Sequence, residues 1–223
     1  LTLERVLDIF EKEQSSGIVT CVGGQVANNL VPKLGKLGIP ILGTDSANID
    51  MAEDREKFGK LLDSLTIQQP PWKKFTNMAD VIVFCHQTGY PILVRPSYVL
   101  SGAAMRVVWG EEQLERFLNE AIHLSPEYPI VITKFIQEAS EVEVDAVSNG
   151  EEVIIGSLVE HIDNAGIHSG DAMMCIPPWR LTRKTMNTIE EYTKMIALSL
   201  KVKGPLNIQY LVKGDQVYVC LLY

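Results

Sequence analysis

Positive charge is scarce in this sequence. Its 223 residues carry 20 lysines and arginines against 28 aspartates and glutamates, which gives a formal net charge of −8. A surface that binds nucleic acid needs clustered basic side chains against the phosphate backbone, and the sequence contains no basic run. We therefore expect no nucleic-acid partner. A nucleotide is a different ligand, because a few local arginines suffice to bind its phosphates.

Cysteine and long apolar runs are scarce too. The four cysteines, Cys21, Cys85, Cys175 and Cys220, form no CxxC pair and have no histidine at metal-ligand spacing. This favours reduced, buried thiols over a metal or redox site and predicts an intracellular compartment. No apolar run reaches the roughly 18 residues that span a bilayer, and no signal-peptide pattern is visible. We expect no membrane association.

Several well-known catalytic and nucleotide-binding motifs are missing. The sequence has no GxxxxGK[ST] loop, no HRD or DFG pair, no GxSxG and no HExxH. Their absence excludes P-loop enzymes, protein kinases, serine hydrolases of the GxSxG type and zinc proteases of the HExxH type. The Gly23–Gly24 pair follows an apolar strand, but "GGQ" does not fit the GxGxxG pattern of a dinucleotide site.

The periodicity of the chain predicts an α/β fold in one or two domains. Helical spacing predicts a helix over 1–12, and a strand–helix–strand pattern over 17–43 predicts a parallel βαβ layer. One charged helix is predicted over 48–65, and the Pro70–Pro71 pair marks a boundary after it. Beyond Pro129 the predicted elements are three alternating strands with a hairpin at Asn149–Gly150, a helix over 183–200, and two strands around a Lys-Gly-Asp turn.

The segment "LVRPSYVLSGAAM" is the most informative part of the chain. An apolar strand is followed by Arg95, a proline, and a loop of small residues that contains Ser101 and Gly102. Small residues let a backbone approach an anion closely, and arginine supplies a charge that does not titrate. The segment predicts a phosphate-binding loop, although an ordinary hairpin has a similar composition.

A row of carboxylates is predicted on one strand. Glu141, Glu143 and Asp145 alternate in "SEVEVDAV", and side chains repeat on one face of a strand every two residues. A solvated outer face is the more common explanation of such a row. The functional alternative is a contact to a ribose or to a metal-bound nucleotide.

Two further features have both a functional and a structural explanation. The loop "NAGIHSGD" carries His168 and Ser169, which fit a phosphate or ribose contact or an ordinary polar turn. Gln209 interrupts an apolar strand and is either a core hydrogen-bonding group or an oxygen ligand for Mg²⁺. Arg55 lies among acidic residues, and its structural explanation is an ion pair on the helix surface. The other histidines, His161 among them, are expected to be structural.

Five segments together resemble one enzyme family, the large subunit of carbamoyl-phosphate synthetase. They are "AEDREKF", "LVRPSYVLSGAAM", "TKFIQEASEVEVDA", "EHIDNAGIHSGDA" and "GPLNIQYLVKGDQVYV". The likeness is to the second, carbamate-phosphorylating ATP-grasp unit of the eukaryotic multifunctional type, truncated at its C-terminus. It implies a partial Rossmann-like pre-ATP-grasp domain over 1–44 and an ATP-grasp domain over 45–223 that clamps ATP between two α+β lobes.

The resemblance assigns roles to individual residues. It implies phosphate contacts from Arg95 and Arg55, a ribose contact from Glu141, and Gln209 as the first ligand of Mg²⁺ or Mn²⁺. Backbone contacts to adenine are implied for Lys134 and Ile136. The loop that closes around the nucleotide consists of Gly166, Ile167, His168 and Ser169.

The implied reaction is attack of carbamate, or bicarbonate, on the γ-phosphate of MgATP. The implied partners are the remaining synthetase domains and a glutamine amidotransferase domain or subunit. "FIQEA" and "SGAAM" are closer to the pyrimidine-pathway form, so the cytoplasm is expected before the mitochondrion. A biotin-type carboxylase shares the architecture, but "RPSYVLSGAAM" and "GIHSGDA" argue against it.

One departure from the family pattern bears on activity. The family continues its final strand with Glu-x-Asn, which supplies the other metal ligands, whereas this chain has Leu221 and Tyr223 at those positions. The sequence therefore predicts weak metal binding and little phosphoryl transfer. The alternative function is a non-catalytic ATP-binding or interaction module.

Overall fold

Two β-sheets, each with its own helices, organise the chain. The computed structural model describes residues 1–75, 78–96, 106–124, 130–165 and 172–222. The chain forms two structural units. Unit 1 consists of Leu1–Gln68 and Ser140–Tyr223, and unit 2 of Gln69–Ala139. The division falls next to the Pro70–Pro71 pair, where the sequence predicts a boundary. The domain limits at 44 and 45 stay a prediction.

The first part of unit 1 is helical with one parallel bridge. Helix α1 spans Leu3–Lys12, as predicted, and two short helices follow. They are α2, Gly24–Asn28, and α3, Val31–Lys36. The parallel connection predicted for this part is confirmed as a single bridge between Ile18 and Ile41. The single helix expected between these strands is wrong, because Pro32 lies in the first turn of α3 and has no N–H to continue a preceding helix.

The charged helix predicted over 48–65 is two helices. Helix α4 spans Ser46–Glu53 and α5 spans Arg55–Ser64. Asp54 between them has an extended backbone, and its Oδ1 accepts hydrogen bonds from Glu56 N at 2.9 Å and Lys57 N at 3.0 Å. Asp54 therefore caps α5, and this local interaction outweighs continuation of α4.

Asp54→Ala is expected to lower the free energy of unfolding by about 1 kcal/mol, because the first turn of α5 loses its side-chain acceptor. Asp54→Asn is the matched control, since asparagine caps equally well. Urea denaturation of the three proteins measures the difference. Equal losses in both variants would mean that the charge of Asp54, and not its capping oxygen, stabilises the helix.

The sheet of unit 1 has five antiparallel strands in the order β7-β6-β5-β8-β9. The strands and the long helix of this unit are β5, Ser140–Asn149; β6, Val153–Asn164; β7, Met174–Cys175; α8, Arg183–Ser199; β8, Lys203–Lys213; and β9, Gln216–Leu222. The predicted hairpin is confirmed, because Asn149 Oδ1 accepts hydrogen bonds from the N–H groups of Glu151 and Glu152 in the β5–β6 turn.

Alternate residues of this sheet form the core of unit 1. Val144, Ile208 and Tyr210 are fully buried in one cluster with Ile189 and Ile196 of α8. The hydroxyl groups of Tyr210 and Thr193 are 2.7 Å apart, and burial raises the pKa of Tyr210 above its usual range. Because strand side chains alternate, the intervening residues of β5 and β8 face away from this core.

Unit 2 has a four-stranded antiparallel sheet in the order β1-β4-β2-β3. Its elements are β1, Trp72–Phe75; α6, Met78–Thr88; β2, Ile92–Pro96; β3, Arg106–Val108; α7, Glu111–Leu124; and β4, Ile130–Lys134. Its core includes Val81, Ile92, Val94 and Ile132. None of the helices in the described parts of either unit has the length and apolar character needed to cross a bilayer.

None of the four cysteines, all of which lie in the described residues, forms a disulfide, but they differ in burial. Cys85 is buried, and desolvation raises its pKa to about 11. Cys21 is exposed, and Cys175 and Cys220 are partly buried. The expectation of buried thiols is therefore confirmed only for Cys85.

Iodoacetamide at pH 8 is expected to modify Cys21 rapidly and to leave Cys85 unmodified in the folded chain. The rise in the pKa of Cys85 from 9.0 to about 11 lowers its thiolate fraction about 100-fold, and burial blocks access to it. Peptide mass spectrometry measures both sites. The same reaction in denaturant serves as the control, and rapid labelling of folded Cys85 would contradict the described core of unit 2.

Candidate nucleotide site

The carboxylate row predicted from the sequence lies on β5, on the face of the sheet that points away from the core. Glu143 is paired with Gln209 of β8, and Asp145 is paired with Asn207. Antiparallel register thus places Gln209 next to the carboxylates, which the sequence could only identify as separate candidates. The two amides and the carboxylates form one polar face.

Glu143 is the centre of this polar face. Its Oε1 accepts a hydrogen bond from Gln209 Nε2 at 3.1 Å and lies 3.2 Å from His161 Nε2. Its Oε2 accepts one from Asn207 Nδ2 at 3.3 Å, and Asn207 also donates to Asp145 Oδ1 at 2.8 Å. The Glu143 side chain is 14% exposed, so these bonds form in a largely desolvated place.

His161 and Asn207 are members of the cluster that sequence analysis did not select. The sequence pattern could have identified Asn207, because it lies two residues before Gln209 and so shares its face on β8. No sequence pattern identifies His161, since its contact to Glu143 depends on the pairing of β5 with β6. Its ring is 1% exposed, and its buried Nδ1 has no hydrogen-bond partner in the part of the chain that the structure describes.

The same cluster has the chemistry of a cation site. Ligand atoms of Glu141, Glu143 and His161 lie within 4.8 Å of one another. Carboxylate and amide oxygens are the donors that Mg²⁺ prefers, so the oxygen-rich character of this polar face fits that ion. Strand β9 places Leu221 opposite Gln209 in the register, and leucine offers no ligand atom. Tyr223 lies outside the described residues.

An ion pair between the buried Glu160 and the partly exposed Arg180 holds the segment beside His161. Glu160 is fully buried; its Oε2 accepts from the backbone N–H groups of Trp179 and Arg180, at 2.9 Å and 3.0 Å. The guanidinium of Arg180 donates Nε–H to Glu160 Oε1 at 2.7 Å and also contacts the carbonyl oxygen of His161. This network fixes the chain between β7 and α8 against β6.

Arg55 is the first residue of α5. Its guanidinium donates a hydrogen bond to the carbonyl oxygen of Cys220 in β9. This contact joins α5 to the strand that is paired with β8. The phosphate contact assigned to Arg55 by resemblance stays a prediction.

The predicted contacts of unit 2 involve Lys134, Ile136 and Arg95. Lys134 Nζ donates to the carbonyl oxygens of Gly89 at 2.9 Å and Tyr90 at 3.0 Å, and burial lowers the pKa of Lys134. Its backbone N–H donates to Pro71 O at 2.7 Å, so a backbone contact from Lys134 to a ligand has to use the carbonyl oxygen.

Ile136 lies two residues beyond the end of β4, and Arg95 lies on β2 opposite Val131. The side chain of Arg95 is outside the described part of the structure, as are the residues predicted to close around the nucleotide, Gly166, Ile167, His168 and Ser169. Their roles stay predictions.

Comparison with known families identifies the type of protein. Residues 54–222 match the family model described as "Carbamoyl-phosphate synthase L chain, ATP binding domain". The chain belongs to this family. Residues 1–51 match the carbamoyl phosphate synthase preATP-grasp domain. The family predicted from the sequence is confirmed.

Relatives of this synthase domain come from distant organisms. The chain is 47% identical over 219 residues to the multifunctional protein URA2 of Saccharomyces cerevisiae, with 98% of this chain and 10% of that protein covered. It is 48% identical over 219 residues to the carbamoyl phosphate synthase large chain of Archaeoglobus fulgidus, with 98% of this chain and 20% of that protein covered. The chain thus spans a fifth or less of these relatives.

Solved structures confirm the ATP-grasp fold for this synthase domain. Biotin carboxylase from Campylobacter jejuni, solved as a β,γ-ATP complex, matches with a TM-score of 0.81 at 18% identity, covering all of this chain and 51% of that one. D-alanine–D-alanine ligase from Bacillus anthracis, complexed with ATP, matches with a TM-score of 0.75 at 18% identity, covering all of this chain and 72% of that one. At such identity the likeness shows the fold alone.

Proposed function

We propose that the protein binds ATP and phosphorylates carbamate, or bicarbonate, as part of carbamoyl-phosphate synthesis. The observation that carries the proposal is the polar face of Glu141, Glu143 and Gln209, which lies inside the residues matched by the synthase ATP-binding family. Carboxylates beside an amide suit both the hydroxyl groups of a ribose and a nucleotide-bound cation.

Each residue has a defined part in this proposal. Glu141 accepts hydrogen bonds from the ribose hydroxyls, and the backbone at Lys134 and Ile136 contacts adenine. Arg95 and Arg55 bind phosphate oxygens, and the loop of Gly166, Ile167, His168 and Ser169 closes over the nucleotide. Gln209 would hold Mg²⁺ through its amide oxygen, and the ion when bound would neutralise phosphate charge.

The reaction needs positioning more than proton transfer. A carbamate oxygen forms a bond to the γ-phosphorus, and the bond from that phosphorus to the bridging oxygen of ADP breaks, which gives carbamoyl phosphate and ADP. The proposed residues supply positive charge and orientation to this transfer. We also propose that the remaining synthetase domains and a glutamine amidotransferase domain or subunit are partners, and that the protein acts in the cytoplasm.

A second candidate function is ATP binding without turnover. Leu221 lies opposite Gln209 in the β8–β9 register, where a carboxylate could have completed a cation site. This arrangement favours a domain that holds the nucleotide and transfers phosphate slowly.

Calorimetric titration of the 223-residue chain with ATP, in Mg²⁺ and in EDTA, tests the binding step. We expect ATP to bind and GTP to bind at least about tenfold more weakly, because the adenine contacts differ. ADP formation that depends on bicarbonate plus ammonia then separates the two candidates. Absence of ATP binding would overturn both, whereas binding without ADP formation would support the second.

A further inference from the structure

The orientation of the Gln209 amide is set by its neighbour across the strands. Glu143 as a carboxylate can only accept hydrogen bonds, so the atom of Gln209 that lies 3.1 Å from Glu143 Oε1 has to be the amide nitrogen. The amide oxygen is then the other branch, turned away from Glu143. Without this partner, either branch of the amide could point outwards.

Glu143 also determines which ring nitrogen of His161 carries a proton. The ring nitrogen that lies 3.2 Å from Glu143 Oε1 has to carry a proton, which fixes Nε2–H as a donor. The ring is buried, and Nδ1 has no hydrogen-bond partner among the described residues, so within this part of the structure Glu143 supplies the acceptor for the imidazole. A carboxylate that is bonded to three side chains at once is itself held in a single position.

We propose that Glu143 is a positioning residue, which holds Gln209 so that the amide oxygen faces the cation of a bound nucleotide. This inference rests on the proposed function, because it requires Gln209 to be a ligand of Mg²⁺. Glu143 itself touches neither the nucleotide nor the ion in this role. Its effect is to remove the competing orientation, in which the amide nitrogen would face the cation.

The variants Glu143→Ala and Glu143→Gln separate orientation from charge. Alanine removes the acceptor, and the amide of Gln209 can then turn. Glutamine can keep an oxygen at the Oε1 position, where both Gln209 and His161 donate, and so preserves the orientation while losing the charge and the hydrogen bond that Asn207 donates to Oε2. Glu152→Ala in the exposed β5–β6 turn is the control for removal of a carboxylate from the same hairpin.

The test measures the Mg²⁺ concentration that gives half-maximal enhancement of ATP binding, together with the Kd of ATP in EDTA. For Glu143→Ala we expect the half-maximal concentration to rise about tenfold, as is typical for loss of a group that orients a metal ligand. The Kd in EDTA should change less than about twofold. Glu143→Gln should stay within about threefold of the original protein, and Glu152→Ala should match it. If the alanine variant does not fold, Glu143→Asp replaces it, since its shorter carboxylate cannot reach Gln209.

The results distinguish failure of the proposed function from failure of the inference about Glu143. If the original protein binds no ATP, the proposed function and this inference both fall. If it binds ATP without any effect of Mg²⁺, the role of Gln209 falls and the inference with it. An unchanged Mg²⁺ requirement in Glu143→Ala overturns the inference alone. Tight binding of Mg²⁺ without ATP, lost in Glu143→Ala, also overturns it, because Glu143 would then be a ligand.

Discussion

Arg180→Ala is expected to lower the free energy of unfolding by about 2 kcal/mol, less than for a pair buried on both sides, because the Arg180 side chain is 38% exposed. The Glu160 side chain is fully buried, and after the substitution it keeps the hydrogen bonds from the backbone N–H groups of Trp179 and Arg180. A buried carboxylate that loses its cation is costly because its charge has no compensating partner. Chemical denaturation of the 223-residue chain measures the loss.

Two comparisons identify the source of this effect. Arg183→Ala removes an exposed arginine nearby, at the start of α8, and should change stability by less than about 0.5 kcal/mol. In a double-mutant cycle with Glu160→Gln, the double variant should lose less free energy of unfolding than the sum of the two single losses, because the unpaired charge of Glu160 is gone. Additive losses would mean that Glu160 and Arg180 stabilise the protein independently.

Arg95→Ala is expected to weaken ATP binding about 100-fold. Under the proposed function this arginine binds phosphate oxygens, and a charge-assisted hydrogen bond to a largely desolvated anion contributes about 1.5–3 kcal/mol. Strand β2 fixes the backbone of Arg95 opposite Val131 in the centre of its sheet, so the loss should come from the guanidinium and not from a shifted strand. Calorimetric titration with ATP measures the change.

Arg106 provides the matched control for this prediction. It lies on the neighbouring strand β3, is exposed, and has its guanidinium 5.6 Å from the ring centre of Phe117. Arg106→Ala should leave ATP binding within about twofold, since surface substitutions outside a binding site have small effects. Equal weakening in both variants would show that general positive charge, and not Arg95 itself, attracts the nucleotide.

Elements with a strong local signal were predictable from the sequence. In the hairpin at Asn149–Gly150, the turn is stabilised by the side chain of Asn149 itself. Helix α8 has a regular apolar face that begins after a capping threonine, Thr182. The turn between β8 and β9 likewise contains a glycine with positive φ, Gly214. In each case the information lies within a few residues of the element.

Features that depend on distant pairing were not predictable. The contact of Gln209 with Glu143 joins residues 66 positions apart, and the contact of His161 depends on a separate strand pair. The break at Asp54 was missed for a different reason. Its neighbours all favour helix, so only the capping geometry reveals that one helix ends and another begins there.

The path of the chain has a consequence for how unit 1 folds. The backbone leaves this unit after Gln68 and returns at Ser140, and the two crossing points are linked through unit 2. Within unit 2 the entering and leaving strands are direct partners, with Lys134 N bonded to Pro71 O at 2.7 Å. Once β1 and β4 have paired, the intervening chain behaves as a short connection, and most of its loop-closure entropy has already been lost. Folding of unit 2 first would therefore lower the entropic barrier to assembling α5 with the five-stranded sheet.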